Sequence, residues 1–221
     1  MNIQWTLADY LRFPIKKHIT STGLTLLFFE NCSANGEIHN VSIIDVIKKT
    51  GKEHYTRAHE WCCGHGAIGF EILNQKLCDS LCLSDKFLPA IVGCEFTSVC
   101  NNLSKNTTVY QIKEFSNLPA EEMWDLVVAD PPHYGSVDDI NSQWNADGIR
   151  QVVDNRWNAH RIFFESIKQH LLPNADVYLF EGYYGSTPKT FEKMIANSGL
   201  KLVDVYNITG LTHHYILHLK N

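Results

Sequence analysis

From about residue 55 onward the chain alternates short apolar runs with longer stretches in which apolar positions recur every three or four residues. Such alternation predicts strand–helix–strand units around a parallel sheet, because buried strands read as continuous apolar runs and helices with a period near 3.6. Strands are expected at 56–62, 81–84, 109–112, 126–129, 176–180, 201–206 and 214–219. The last two are too close for a parallel crossover, which needs a dozen or more residues, so the turn at 208–212 with Gly210 predicts an antiparallel hairpin. The fold class expected is α/β: a doubly wound seven-stranded sheet, mostly parallel, ending in that hairpin.

Punctuation sets the helices. A helix over 65–75 follows a glycine-containing turn, and one over 89–101 opens on Pro89, whose missing N–H costs nothing in a first turn. A helix over 157–172 is expected to stop at Pro173. Thr187 can cap another that starts on Pro188 and ends at Gly199. Residues 1–54 do not follow the repeat: 7–11 and 43–49 read as helical, and the apolar run 24–29 fits strand or helix. They are expected to form a helical cap that covers the substrate, leaving 55–221 as the main domain.

Composition narrows the class. With 221 residues, 44% of them apolar, the chain can bury a sizeable core. Its net charge of −5 denies it the basic field that sequence-independent phosphate binding uses, so a nucleic-acid partner is not expected. No apolar stretch is long enough for a membrane helix and no signal peptide is seen, which predicts a cytoplasmic protein without a membrane partner. Cys62, Cys63, Cys78, Cys82, Cys94 and Cys100 fall in predicted strands and helices and are expected to be buried free thiols. His213, His214 and His218 suggest a metal site only if helical; the Tyr- and Ile-rich run around them reads as a strand, and no metal is expected.

Two stretches carry chemistry. Glu60-Trp61-Cys62-Cys63-Gly64-His65-Gly66 ends the first strand of the repeat and opens a helix, where glycines let the chain turn tightly and a ligand lie against bare backbone. Asp85 follows at the end of the next strand, where a carboxylate can accept both hydroxyls of a ribose. The same glycines would suit a turn that merely packs helix on sheet. The second stretch, Trp124–Ala129 followed by Asp130-Pro131-Pro132-His133-Tyr134, is an apolar strand ending in a rigid turn. There the Asp130 carboxylate and the Pro131 carbonyl can converge on one N–H group. Alternatively Asp130 only caps a neighbouring helix.

Together the Glu60-x-Cys62-x-Gly64-x-Gly66 run, Asp85, the turn from Asp130 and the terminal hairpin resemble the class I S-adenosylmethionine-dependent methyltransferases. The resemblance is strongest to the small-methyltransferase branch, whose fourth strand ends in Asp, Asn or Ser, two prolines and an aromatic residue or His, and whose members often methylate nitrogen. It covers residues 55–221 and implies a Rossmann-like S-adenosylmethionine-binding catalytic domain. By resemblance Glu60 would orient the cofactor's amino group, Cys62, Gly64 and Gly66 would lie along its methionine portion, and Asp85 would hold its ribose. Lys86 and Phe87 would flank the adenine, and Ser116 and Asn117 would meet its edge, where the family more often has Asp. Asp130, also counted among the cofactor-binding residues, and Pro131 would accept hydrogen bonds from a target amine, with His133 or Tyr134 packed on a planar acceptor.

This chain departs from the family pattern in having Cys62 where the first glycine usually stands, which is expected to narrow the backbone's approach to the cofactor. Arg57 and His59 are polar residues on a strand covered on both faces, and each needs a buried partner. Tyr183 and Tyr184, bracketed by glycines, are candidates for the substrate pocket. Glu181, Trp144, Trp157, His160 and Arg161 fall near the same rim. The activity implied is methylation of a nitrogen on a small metabolite or natural-product intermediate. Other readings are an enzyme that cyclises S-adenosylmethionine to azetidine-2-carboxylate and methylthioadenosine, methylation of a protein or nucleic-acid amine, and a non-catalytic partner subunit. Oligomeric state is not legible.

Overall fold

The computed structural model describes residues 14–30, 42–113, 115–140, 151–208 and 211–221. Along the chain these form β1 (Ile15–Ile19), β2 (Thr25–Phe29), α1 (Ser42–Thr50), β3 (Tyr55–Trp61), α2 (Ala67–Asn74), β4 (Cys78–Asp85) and α3 (Leu88–Cys100). They continue with β5 (Thr107–Gln111), β6 (Trp124–Ala129), α4 (Asn158–Ser166), β7 (Leu171–Gly182), α5 (Pro188–Ser198), β8 (Lys201–Ile208) and β9 (Leu211–Lys220). The last seven strands make one sheet in the order β5-β4-β3-β6-β7-β9-β8. Pairing is parallel from β5 to β7, and β9 runs antiparallel to both of its neighbours. The α/β architecture and the closing hairpin are therefore as the residue pattern predicts, although Gly210 itself lies outside the described residues.

Strand β6 shows why the sheet is doubly wound. All six of its residues are buried, and the two-residue period sends Leu126 and Val128 into the core on one face and Val127 and Ala129 into the core on the other. The first core takes Phe70 and Ile91 from α2 and α3, and the second takes Phe163, Phe164 and Phe191 from α4 and α5. The chain leaves β3 towards β4 on one side and returns to β6 on the other. The carboxyl ends of β3 and β6, paired at Trp61 and Ala129, therefore flank the crevice at which open α/β sheets bind ligands.

The described N-terminal residues form the β1–β2 hairpin and α1; residues 7–11 lie outside the described residues. Of the run 24–29, residues 25–29 form strand β2. The hairpin lies against α3, where the Leu27 N–H donates to Thr97 Oγ1 (2.9 Å) and Gly93 leaves no room for a Cβ, which would stand 2.9 Å from the Leu27 carbonyl oxygen. Thr22 reaches α2 by donating to the Glu71 carboxylate (2.7 Å).

Two sequence expectations need correction. The helix expected over 157–172 ends at Ser166 and passes through a 3₁₀ turn, Ile167–His170, into β7. Pro173 lies inside that strand, next to the irregularity in the β6–β7 register between Trp124 and Leu126, the kind of position at which a strand tolerates the missing N–H. Among the cysteines expected to be buried, Cys63, Cys78, Cys82 and Cys94 are, Cys62 is half-buried, and Cys100 is exposed at the end of α3.

The polar residues of β3 have their partners. His59 Nε2 lies 2.8 Å from Ser84 Oγ, with its ring stacked on Trp124. Arg57 donates two hydrogen bonds to the Glu122 carboxylate (2.9 and 2.7 Å), and Tyr110 and Trp124 donate to the same group. Burial alone would raise the Glu122 carboxyl, but the guanidinium and the other donors outweigh it and hold it below the usual range. A carboxyl depressed in the folded state stabilises the protein above its unfolded pKa and ceases to do so as pH falls through its folded value. The thermal midpoint of the wild-type protein is therefore expected to fall more steeply than that of Glu122→Gln between about pH 5 and about pH 2; calorimetric scans showing equal slopes would refute this.

His214 and His218 face the same side of β9, but as strand positions four apart their Cα atoms are about 13 Å apart. Each has a separate partner: His214 Nε2 the Tyr184 hydroxyl (2.9 Å) and His218 Nε2 the Asp176 carboxylate (2.9 Å). No helix among the described residues is long and apolar enough to cross a membrane.

Candidate active site

The loop after β3 is wound by left-handed residues. Cys62 (φ 54°), Gly64 (φ 51°) and Gly66 (φ 74°) all have positive φ. Cys62 thus adopts the conformation a glycine would supply, at a strain cost on the order of 1–3 kcal/mol. A Cβ on Gly66 would stand 2.8 Å from the Phe70 ring, whereas one on Gly64 would meet nothing within 4 Å. The loop is tied to β4 by Asp85, whose carboxylate accepts the Gly64 N–H (2.9 Å) and the Phe87 N–H (2.9 Å). Burial raises the Asp85 carboxyl, and these N–H groups offset only part of that. Beneath the loop Glu60 accepts the Gly69 N–H (2.7 Å), and burial pushes its carboxyl up to about 8.

These residues fit a nucleoside cofactor in three respects. The backbone at Gly64 faces open space. The Asp85 carboxylate sits at the end of β4, beside the loop it anchors. Between the glycines, His65 Nε2 is buried without a hydrogen-bond partner among the described residues. Further out, Lys86 and Asn117 are exposed and Phe87 is half-buried at the start of α3. The Ser116 side chain and Trp144 lie outside the described residues.

The turn from Asp130 stands at the end of β6, beside that loop. Pro131 is buried and both prolines are trans. The turn is held from outside by the segment before α4: the Tyr134 N–H donates to the Val152 carbonyl (3.0 Å), and the Asp154 N–H to the Tyr134 carbonyl (2.8 Å). Gly185 presses on it from the loop after β7. The Tyr184 ring lies 5.1 Å from Tyr134 and 5.7 Å from His133, so Tyr184 joins the candidate site. Tyr183 does not join this ring cluster: it packs against Tyr215 with the rings tilted (4.5 Å) and donates to Asn207 (2.9 Å) on β8. Arg161 lies in an exposed ion pair with Glu165, and Trp157 packs against Gly135 and Phe191.

A chain of alternating acids and imidazoles runs back from Asp130 into the core. Asp130 Oδ1 lies 3.0 Å from His133 Nε2, and His133 Nδ1 lies 3.7 Å from Glu181 Oε2. Glu181 Oε1 lies 3.0 Å from His160 Nε2, and His160 Nδ1 2.7 Å from Asp154 Oδ2. Asp154 also accepts the N–H groups of Ala159 and His160 in the first turn of α4. In the sequence Glu181 and His160 stand out only as rim residues, and Asp154 has no apparent role. The available signal is an acid directly after the apolar run Val177–Phe180, which, once buried, must have a cationic or hydrogen-bonding partner.

The sequence matches no protein-family model and no curated protein. Solved structures do resemble the fold. The 16S rRNA N2 G1207 methyltransferase RsmC of T. thermophilus, determined with AdoMet and guanosine, aligns with a TM-score of 0.62 at 11% identity, over 95% of this chain and 50% of that one. The N-methyltransferase NodS from Bradyrhizobium japonicum aligns with a TM-score of 0.54 at 12% identity, over 83% of this chain and 98% of its own. The cyclase SpnF aligns with a TM-score of 0.60 at 8% identity, over 81% and 79%. At such identities the likeness is one of fold, the Rossmann-like methyltransferase fold, and that fold supports more than one reaction.

Proposed function

We propose that this protein is an S-adenosylmethionine-dependent methyltransferase acting on a nitrogen of a small metabolite. The observation that carries the reading is the placement of the Asp130-Pro131 turn beside the Gly64 loop, at the ends of the adjacent strands β6 and β3. Gly64, Gly66 and Asp85 would hold the cofactor, which when bound supplies an electrophilic methyl group on a sulfonium. Placing a nucleophile in line at about 3–3.5 Å then does most of the work. The Asp130 carboxylate and the Pro131 carbonyl accept hydrogen bonds from an amine, aim its lone pair and stabilise the positive charge that develops on nitrogen. Tyr134 and Tyr184 offer ring faces to a planar acceptor. The net charge of −5 supports a small acceptor over a nucleic acid.

The test is to incubate purified protein with S-adenosylmethionine alone and with pooled cell metabolites, and to identify the nucleoside product by mass spectrometry. S-adenosylhomocysteine formed only with metabolites is expected. Methylthioadenosine formed from the cofactor alone would replace this reading with self-cyclisation or lyase chemistry.

A further inference from the structure

We propose that Glu181, His160 and Asp154 are positioning residues that hold His133 protonated against Asp130, so that the acceptor meets a charge-compensated carboxylate instead of a free base. The proposal rests on the methyltransferase reading only for what Asp130 does to an acceptor. Its basis is geometric: three carboxylates alternate with two imidazoles at 3.0, 3.7, 3.0 and 2.7 Å. Glu181 and His160 have fully buried side chains, Asp154 is almost as deep, and only the Asp130 end is a quarter exposed. With both imidazoles protonated each interior group has an opposite charge on either side, and water screens little of the buried part from Glu181 to Asp154. If both imidazoles are protonated, the three carboxylates leave one negative charge in excess, which suits a site where an amine becomes cationic.

Taken singly, burial would lower both imidazoles. The Asp130 and Glu181 carboxylates outweigh it and push His133 up to about 10, while Glu181 and Asp154 push His160 up to about 9. Other titratable groups also face this end of the chain. His214 on β9 lies 6.0 Å from the His133 ring, Tyr184 5.7 Å from it, and Glu60 and His65 feel the charge of Asp130. Tyr215 and Tyr184 feel that of Glu181. Burial keeps His65 neutral at physiological pH, lowered to about 4. The cation beside Asp130 is therefore His133.

In this arrangement the His133 ring stands between two carboxylates as an ion-pair partner, with Asp130 Oδ1 3.0 Å from Nε2 and Glu181 Oε2 3.7 Å from Nδ1. Asp130 remains an acceptor that orients an amine and takes little proton from it. On the alkaline side, activity is lost when His133 gives up its proton. Replacing Glu181 removes one of its two carboxylate partners, so that loss should come at lower pH.

The decisive measurement is an NMR titration of ring-labelled histidine, with His133 assigned by its absence in His133→Asn. His133 in the wild-type protein is expected to stay protonated above pH 8, and in Glu181→Gln to titrate at least about one unit lower, with Glu181→Asp recovering part of the shift. In turnover the alkaline limb should move by the same amount, with cofactor affinity unchanged. Ordinary titration of wild-type His133 near its unperturbed value of about 6.5, or lower turnover in Glu181→Gln with His133 unmoved, would overturn the proposal. Should Glu181→Gln not fold, Asp154→Asn at the buried end is expected to lower His160 and, less strongly, His133. The titration needs no acceptor, so the proposal can fail or stand separately from methyl transfer.

Discussion

Asp130→Ala is expected to lower turnover about 100-fold while changing the affinity for S-adenosylhomocysteine by less than about threefold. The carboxylate stands at the end of β6, whereas the glycine loop is tied to β4 by Asp85. Its loss therefore removes an acceptor for the amine and leaves the cofactor's cradle in place. It also leaves the His133 imidazolium with Glu181 alone, so an Asp130→Asn control is needed. Asparagine keeps the hydrogen-bonding shape and is tolerated at this position in the family the turn resembles; its loss should be nearer tenfold. Calorimetry with S-adenosylhomocysteine and steady-state rates on the same preparations separate the two effects. Equal loss of binding and turnover would place Asp130 in the cofactor site, and unchanged turnover would remove it from the chemistry.

The fold was legible because its strongest signals are local. Three strands of the parallel region, β4, β6 and β7, carry the apolar runs Leu81–Leu83, Leu126–Ala129 and Val177–Phe180, and the helices open on Pro89 and Pro188 as the missing N–H demands. Boundaries went astray where tertiary packing overrode punctuation. Pro173 reads as a helix stop because the sequence does not show the β6–β7 irregularity that accommodates it. The turn from Asp130 and the glycine loop could be found as contiguous motifs. The histidine–carboxylate chain could not, since Asp154, His160 and Glu181 come from a loop, a helix and a strand that meet only in three dimensions. Tyr183 and Tyr184 look equivalent in sequence, yet adjacent side chains point apart. Packing on Tyr215 takes Tyr183 to β9, and the Tyr184 hydroxyl bond to His214 keeps Tyr184 beside the turn.

Gly185→Ala should reduce turnover about as severely as Asp130→Ala, and for a reason no motif reveals. A Cβ on Gly185 would stand 1.9 Å from the His133 carbonyl oxygen and 3.1 Å from the Tyr134 Cα, both backbone atoms. The turn cannot yield freely, because Tyr134 is hydrogen-bonded on both sides to Val152 and Asp154, and the Gly135 carbonyl accepts the Arg156 N–H. Making room therefore means displacing the whole segment that carries Asp130, His133 and Tyr134. A shift of about 1 Å in a group that must aim a nucleophile can cost about 100-fold. Gly182→Ala is the matched comparison. There the added carbon would meet the Tyr184 ring at 2.4 Å, a side chain with 40% exposure that can swing away, so the expected loss is under about tenfold. The Gly185 variant should bind S-adenosylhomocysteine normally, because the glycine loop and Asp85 are on other elements. Full turnover in Gly185→Ala would mean that the exact seat of the Asp130 turn does not limit the reaction; lost binding would mean that the turn and the cofactor loop move as one unit.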